Sequence, residues 1–326
     1  MNNLEHHYIG IDIGGSSIKF GIVTTDGSVV YSSSIPTYSQ SSVDVVLERI
    51  ELAINTCLQF ASANKCSIVS IGVGIPGVVT KDGVVVTAPN FNNFHNVDVK
   101  SFCESKFSLP IIIDNDATVA GLAEAFLGAG ATIDSFLFIT LGTGVGGCII
   151  YNGDVYRGVA NGAGEIGHII IYPDAEVQVD KPSFRKGVLE EYVGREGIKE
   201  YAKSTFPRFP KSYLLEKDDF DVADISYGAN VVKCPHCLHI IGYVGKLLGI
   251  AIASALHILD IPTVIIGGGI AQFGEVLFFT IRKVCKERCI PSIASTVQIV
   301  PASFSNDSGV LGAAYLAKQL FTSKST

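Results

Sequence analysis

The sequence predicts an α/β protein of two lobes with a central cleft. One observation is an internal repeat of two glycine-rich turns, within residues 9–19 and 136–150, each set between apolar β-type runs. Each copy runs on into a second tight turn, Asp26-Gly27 in the first and Asn152-Gly153 in the second. The other observation is that apolar strand-like runs alternate with helical segments in both halves. This alternation is typical of α/β folds, and the repeated hairpin predicts two similar lobes.

The first half alternates strand and helix patterns. Strands are predicted at Tyr8–Ile13, Lys19–Thr24, Ser28–Ser33, Ile68–Val73 and from Ile111, and helices over Ser42–Asn64 and Ala117–Gly128. Ser42 is a suitable N-cap, and Gly128 is a suitable helix end. Asp116 therefore lies between a strand and the start of a helix, which is where open α/β folds bind ligands.

The second half repeats this plan. It contains the hairpin at Phe136–Tyr156, helices around Leu189–Ser204 and Cys237–Leu259, the strand Thr263–Gly267 and the helix Gly309–Leu320. We predict a small N-terminal α/β lobe formed by residues 1–117 and 309–326, and a large C-terminal α/β lobe formed by residues 118–308.

Composition favours a compact protein that acts on small molecules. Of 326 residues, 48% are hydrophobic and 17% charged, and the formal net charge is −7 with no run of Lys or Arg, which argues against nucleic acid or membrane partners. The eight cysteines are scattered through apolar segments, and the first residues lack the pattern of a secretory signal, so we expect reduced thiols and a cytoplasmic protein. The apolar run Leu247–Leu259 is shorter than the roughly 20 residues of a membrane-spanning helix and predicts a buried helix.

Several short motifs, in order, resemble those of the ROK family (repressors, open reading frames, kinases) within the actin-like ATPase, or ribonuclease H-like, superfold. They cover nearly the whole chain: Asp12-Ile-Gly-Gly-Ser-Ser-Ile-Lys19, Gly74-Ile-Pro-Gly77, Pro89-Asn90, Asn115-Asp116-Ala117, Gly142-Thr-Gly-Val-Gly-Gly147, Glu165-Ile-Gly-His168, Leu189-Glu190 and Gly267-Gly-Gly269. The resemblance implies an ATP-dependent hexose kinase, with a glucokinase that phosphorylates the sugar 6-hydroxyl as the leading expectation.

The two glycine turns are suited to hold a polyphosphate, because small residues let backbone N–H groups approach an anion. The resemblance implies ATP as donor, and Mg²⁺ held near Asp12 through water. The residues expected at the nucleotide are Asp12, Gly14, Gly15, Ser16, Lys19, Gly142, Thr143, Gly144, Gly267, Gly268 and Gly269. A solvated lysine at a strand end is the equal alternative for Lys19.

The sugar side contains carboxylates, amides and an imidazole, which suit a ring of hydroxyl groups. The resemblance implies Asn90, Asn115, Asp116, Glu165, His168 and Glu190 as sugar ligands. Asp116 is the expected catalytic base, although an isolated Asn-Asp-Ala would predict a helix N-cap. Glu165 and His168 should share a face of a helical turn. Glu191 is the alternative to Glu190.

The chain departs from the family at the zinc site. Many relatives carry a cysteine-rich zinc motif after the Glu-x-Gly-His segment, whereas this chain has no cysteine between residues 149 and 233. We therefore expect no structural zinc, and His168 to serve as a sugar ligand. Cys234-Pro-His-Cys237 looks like half a zinc site, but no second pair with suitable spacing accompanies it.

Other functions remain open at this point. The hexose could be N-acetylmannosamine, another N-acetylhexosamine, fructose or allose, and the donor could be polyphosphate, although the acidic composition disfavours that polymer. A sugar-sensing regulator is the competing class, but such relatives carry a DNA-binding segment before the kinase-like fold and few residues precede the first predicted strand. The resemblance also implies a homodimer.

Overall fold

The computed structural model describes residues 5–88, 91–173, 186–304 and 308–323. The strands in this part of the chain are β1 (His6–Ile13), β2 (Ser17–Thr24), β3 (Val29–Pro36), β4 (Ser67–Ile75), β5 (Val78–Val79), β6 (Val84–Thr87), β7 (His95–Asp98), β8 (Ile111–Asn115), β9 (Phe136–Leu141), β10 (Val145–Tyr151), β11 (Asp154–Val155), β12 (Thr263–Gly267) and β13 (Gln298–Pro301). The α-helices are α1 (Val43–Asn64), α2 (Val99–Lys106), α3 (Asp116–Leu127), α4 (Leu189–Val193), α5 (Arg195–Thr205), α6 (Val222–Asn230), α7 (Pro235–Leu259), α8 (Glu275–Arg288), α9 (Pro291–Ala294) and α10 (Ser308–Ser323).

The contacts within the chain define two compact units. One comprises Met1–Ile133, Gly153–Ala163 and Asn306–Thr326, and the other comprises Asp134–Asn152 and Gly164–Ser305. The sequence predicts a boundary after residue 117, whereas the structure groups α3 with the first unit, because α3 packs closely against α10. The segment 153–163 joins the same unit, where its Arg157 pairs with Asp114 at the end of β8.

The first unit contains a five-stranded sheet in the order β3-β2-β1-β4-β8. Strand β2 pairs antiparallel with both β1 and β3, whereas β4 is parallel to both β1 and β8. Helix α1 buries residues at helical spacing, among them Val46, Ile50 and Cys57, in the same core as the apolar side chains of the sheet. The short strands β5, β6 and β7 form a separate three-stranded sheet.

The second unit repeats the arrangement of the first. Strand β10 pairs antiparallel with β9, and β12 is parallel to both β9 and β13. In both units a glycine turn therefore joins two antiparallel strands, and the first strand of the hairpin has a parallel neighbour on its other side. This duplication confirms the α/β fold class that the repeated hairpins predict.

Helix α7 is the most apolar long element of the second unit. It packs against α8, α6, α4 and α5, and its buried residues include Ile240, Val244 and Leu248. Within the described residues it is the one helix long and apolar enough to cross a membrane, and most of it is buried inside the protein.

Candidate active site

The first glycine turn joins β1 to β2. Asp12 lies near the end of β1, directly opposite Lys19 on β2. The turn is closed by a hydrogen bond from the Gly14 amide to the Ser17 carbonyl (2.9 Å) and is supported by the Thr37 hydroxyl, which donates to the Gly14 carbonyl (2.7 Å). The turn is thus a fixed backbone loop with an acidic and a basic side chain at its base.

The carboxyl group of Asp12 lies against the start of α10. Burial raises the pKa of Asp12 above its ordinary value, and the charge of Lys19 opposes that shift. Gly309, in the first turn of α10, is so close that a Cβ atom at position 309 would overlap the Asp12 carboxyl. The position of this carboxyl therefore depends on a residue distant in sequence.

Asn115 and Asp116 lie where β8 passes directly into α3. Asn115 is the N-cap: its Oδ1 accepts from the amides of Ala117 (2.9 Å) and Thr118 (3.2 Å), and its Nδ2 donates to the Gly77 carbonyl (2.8 Å). Asp116 is the first residue of the helix, and its Oδ1 accepts from the Ala117 amide (2.8 Å). Because Asn115 supplies the cap, capping does not by itself explain a carboxylate at 116.

A buried ion pair lies immediately before this cap. Asp114 has 5% of its side chain exposed, and its Oδ2 is 2.5 Å from Nη1 of Arg157, which is 30% exposed. The other carboxyl oxygen accepts from the Asn115 amide (2.8 Å). Burial raises the pKa of Asp114, while the Arg157 guanidinium opposes that shift. The pair fixes the backbone that carries Asn115 and Asp116.

The second glycine turn lies between β9 and β10 and is hydrogen-bonded to residues of the helices α4 and α5. The Gly142 amide donates to the Gly144 carbonyl (2.9 Å), and the Arg195 amide, at the start of α5, donates to the Gly142 carbonyl (3.1 Å). The Val145 amide donates to Oε2 of Glu190 on α4 (2.9 Å). Thr143, between the two glycines, is exposed.

Glu165 and His168 face each other across a short 3₁₀ turn formed by Ile166–His168. Oε2 of Glu165 lies 3.6 Å from Nε2 of His168, and both side chains are partly exposed. The predicted spacing on one face of a helical turn is therefore present.

The structure distinguishes the two neighbouring glutamates of α4. Glu190 directs a carboxyl oxygen to the second glycine turn, whereas Glu191 accepts from the Gly187 amide (2.8 Å) and pairs with Lys186 (2.8 Å). Glu190, and not Glu191, adjoins the glycine turn.

The third glycine cluster borders a cavity. Gly267 ends β12, and Gly268 has a left-handed backbone (φ +85°) and lies so close to Leu141 that a Cβ atom would overlap the Leu141 carbonyl. Since Leu141 immediately precedes the second glycine turn, the two turns adjoin. The cavity has a volume of about 430 Å³ and is lined by Gly267, Gly268, Phe278 and Arg282, among others. This size falls within the range of small-ligand sites.

Asn90, which the motifs predict as a sugar ligand, lies outside the described residues. The other segment to be considered is the predicted half zinc site. Around Cys234-Pro-His-Cys237, both ring nitrogens of His236 are hydrogen-bonded to hydroxyls, Nδ1 to Ser212 (2.7 Å) and Nε2 to Thr205 (2.8 Å). Neither ring nitrogen of His236 is therefore available to bind a metal ion. The described residues contain no cluster of three potential metal ligands.

The sequence profile of the ROK family matches residues 8–320, almost the whole chain. The chain belongs to the ROK family. It is 32% identical to a glucokinase of Halalkalibacterium halodurans over 97% of this chain and 96% of that protein. It is 26% identical to a xylose repressor of Caldicellulosiruptor bescii, over 93% of this chain and 76% of the repressor. Both kinases and regulators of the ROK family are thus among its relatives.

A solved ROK glucokinase from Streptomyces griseus, in complex with glucose and AMPPNP, has a similar structure. The TM-score is 0.81 at 27% identity, and the match covers 96% of this chain and 99% of that protein. The fold is therefore that of the ROK kinases, as the motifs predict.

Sequence reasoning missed two supporting residues, Arg157 and Gly309. A signal existed for the first: Asp114 ends the apolar run 111–113, and a carboxylate buried in such a strand requires a cationic partner. No local signal identifies Gly309, since its importance comes from the approach of α10 to Asp12.

Proposed function

We propose that this protein is an ATP-dependent hexose kinase that transfers the γ-phosphoryl group to the 6-hydroxyl of glucose. The observation that carries the proposal is the carboxylate of Asp116, which stands at the start of α3 beyond a side-chain cap already supplied by Asn115. Sequence identity of 32% to a glucokinase over nearly the full length supports the same conclusion.

Asp116 is proposed to accept the proton of the sugar hydroxyl as that oxygen attacks phosphorus. Phosphoryl transfer through a loose transition state requires the base mainly to orient the hydroxyl and to take the proton late, so an aspartate suffices. The start of α3 stabilises its negative charge. Asn115 binds a sugar hydroxyl through the second N–H of its Nδ2 group, since the first donates to Gly77.

The remaining sugar ligands are proposed to be Glu165, His168, Glu190 and Asn90. Carboxylates accept hydrogen bonds from sugar hydroxyls, and the imidazole can donate or accept. Glu190 also accepts from the amide of Val145, so that sugar binding and the second glycine turn share one side chain. This connection supports a role for Glu190 in aligning the acceptor with the donor.

The phosphates of ATP are proposed to bind the backbone N–H groups and hydroxyls of Gly14, Gly15 and Ser16 and of Gly142, Thr143 and Gly144. The adenosine is proposed to occupy the cavity lined by Gly267 and Gly268, with Gly269 as the next residue of the same turn. Lys19 is placed to bind phosphate or to balance the charge of Asp12, its cross-strand neighbour. The complex of the similar Streptomyces griseus glucokinase with AMPPNP supports an adenine nucleotide as donor.

The residues present fit Mg²⁺ and do not fit zinc. Asp12 offers a carboxylate beside a glycine turn, the oxygen chemistry that Mg²⁺ prefers, and would hold the ion through water. When bound, Mg²⁺ offsets the charge of the transferred phosphoryl group. The cysteines of a zinc site are missing from residues 149–233, so we propose that His168 acts without a metal.

The direct test is ADP formation by the purified protein with ATP and Mg²⁺ across a panel of hexoses and N-acetylhexosamines. We expect turnover with glucose above all others. Preference for N-acetylmannosamine or fructose would keep the kinase and change the substrate. Turnover with polyphosphate but not ATP would overturn the proposed donor.

A sugar-sensing regulator is the second candidate, because a xylose repressor is among the relatives. Binding of a sugar, measured by calorimetry, without any phosphorylation by ATP or polyphosphate would favour it. The retained Asp116 favours the kinase, since sensing alone needs no base.

Gly268→Ala is expected to raise the KM for ATP about tenfold to a hundredfold, since small displacements of a binding site have large kinetic effects. The methyl group would meet the Leu141 carbonyl, and the left-handed backbone at 268 is unfavourable for alanine. Affinity for glucose should change little. Gly242→Ala on α7 is the control, because a Cβ atom there meets nothing within 4 Å and Gly242 has no part in the proposed site. Equal KM values for ATP in the two variants would contradict the proposed adenosine site.

Gly309→Ala is expected to lower kcat/KM for ATP about a hundredfold by displacing the Asp12 carboxyl. The loss should be relieved in part by higher Mg²⁺ concentrations, which a titration of rate against Mg²⁺ would reveal. Gly242→Ala on α7, where a Cβ atom meets open space, is the control. A Mg²⁺ dependence identical to that of the unchanged protein would argue against Asp12 as the residue near the ion.

A further inference from the structure

Four tyrosines of the second unit form a continuous cluster: Tyr172, Tyr192, Tyr201 and Tyr243. The rings of Tyr201 and Tyr243 stack with centroids 3.6 Å apart and planes 8° from parallel, and those of Tyr172 and Tyr192 are 4.6 Å apart. The side chain of Tyr172 is also close enough to Tyr243 to raise the pKa of the Tyr243 hydroxyl, which joins the two pairs. Each member of this tyrosine cluster comes from a different segment of the chain, so the cluster brings four segments together.

The cluster connects two strand-like stems to the core. One stem is the segment 169–172, and the other is 187–189; they pair through the Ile171 amide, which donates to the Gly187 carbonyl (2.7 Å), and the Leu189 amide, which donates to the Ile169 carbonyl (2.9 Å). Tyr172 belongs to the first stem, while Tyr243 lies on α7. The packing of Tyr172 on Tyr192 of α4, a helix that itself packs on α7, together with the proximity of Tyr172 to Tyr243, therefore ties the paired stems to the core of the second unit.

The stems carry two proposed sugar ligands. His168 immediately precedes the first stem, and Glu190 immediately follows the second. Tyr192 lies two residues beyond Glu190 on α4, and its ring packs on Tyr172 of the first stem. Each ligand is thus at most four residues from a ring of the cluster.

The chemistry of the cluster suits a rigid support. Burial raises the pKa of Tyr243, as do the neighbouring tyrosines, so the hydroxyl stays protonated and can donate or accept within the cluster. Tyr201 extends the network through its hydroxyl, which is 3.0 Å from Nε2 of His239 on α7. Aromatic pairs stabilise beyond the burial of their area, and the hydroxyl of Tyr201 is held as well, so the cluster is suited to support neighbouring segments.

We infer that the tyrosine cluster is the positioning device that fixes His168 and Glu190 for sugar binding, in a chain whose stems have no cysteine ligands for a metal. The inference rests on the proposed function only in taking these two residues as sugar ligands. The tyrosines are positioning residues and need not touch the sugar.

The test is Tyr172→Leu, since Tyr172 is 39% exposed and its replacement leaves folding largely intact. We expect the glucose Kd, measured by calorimetry, to rise about tenfold, the scale expected from losing one aromatic pair. Amide hydrogen exchange at Ile171 and Leu189 should accelerate by a similar factor. The KM for ATP should change less than the glucose Kd, because the cavity proposed for the adenosine is lined by no residue of the stems or of the tyrosine cluster.

Tyr172→Phe keeps the ring that packs on Tyr192 and loses the hydroxyl near Tyr243, so its glucose affinity should lie between that of Tyr172→Leu and that of the unchanged protein. The matched control is Tyr227→Leu, which removes an exposed tyrosine of the same unit whose ring pairs with Tyr213 at 5.9 Å. It should change neither glucose affinity nor exchange in the stems. Unchanged exchange in Tyr172→Leu, or equal effects of the control, would overturn the inference, as would one tightly bound zinc ion per chain in metal analysis of the purified protein. If the unchanged protein binds no glucose, the proposed function fails while the exchange measurement still decides whether the cluster fixes the stems.

Discussion

Asp116→Asn is expected to lower kcat for sugar phosphorylation about a thousandfold, within the range that general-base catalysis contributes. The amide is nearly isosteric but cannot take the proton of the attacking hydroxyl. Its oxygen can still accept from the Ala117 amide, as Oδ1 of Asp116 does, so the start of α3 should be preserved. The Kd for glucose should therefore change by less than about threefold, since the hydrogen-bonding shape of the side chain is kept.

The matched control is Asp82→Asn, an exposed aspartate of the same unit. It should leave both kcat and glucose affinity unchanged. If Asp116→Asn abolished glucose binding but left turnover of the bound complex intact, Asp116 would be a sugar ligand and another group would be the base. Single-turnover kinetics with glucose at saturation separates these outcomes.

Arg157→Met is expected to destabilise the protein by about 3 kcal/mol, the lower end of the range for leaving one member of a buried ion pair without its partner. Asp114 would keep its buried carboxyl and lose the guanidinium beside it. Because Asp114 also accepts from the Asn115 amide, the same change should lower kcat. Urea unfolding and steady-state kinetics measure the two effects.

A second substitution distinguishes loss of the charge partner from loss of packing. Asp114→Asn in the Arg157→Met background removes the stranded charge and should recover part of the lost stability. Lys106→Met is the control for an exposed ion pair, with Glu51 in the same unit, and should cost less than about 1 kcal/mol. Equal losses in Arg157→Met and Lys106→Met would show that the Asp114 pair is not a structural support of the site.

The hairpins, the glycine turns and long helices such as α1 and α7 could be predicted because their signals are local. The helix predicted around Leu189–Ser204, however, divides at Gly194 into α4 and α5. The break allows the Arg195 amide to bond to the carbonyls of the second glycine turn. This is a tertiary contact that periodicity does not encode.

Other elements gave too weak a pattern. The helix α8, whose exposed face is rich in Lys and Arg, and the short strands β5, β6 and β7 are not predicted by the sequence pattern. Strands of two to four residues are too short to show alternation.

The candidate site could be predicted from the sequence wherever its residues lie in one contiguous motif. Glu165 and His168 do meet, as their spacing predicts. The proposed roles of Arg157, Gly309 and the tyrosine cluster depend on contacts between distant segments. Patterns in a single sequence do not show which distant segments meet. The motifs therefore predict the ligand residues, whereas the residues that hold those ligands in place become visible only in the folded structure.

The most direct measurement is ³¹P and ¹³C NMR of the product formed from glucose, ATP and Mg²⁺ by the unchanged protein and by Asp116→Asn. The proposed function predicts glucose phosphorylated at the 6-position, with ADP in equal amount, and almost none from the variant. A protein that binds glucose but forms no sugar phosphate, or a variant as active as the unchanged protein, would contradict it.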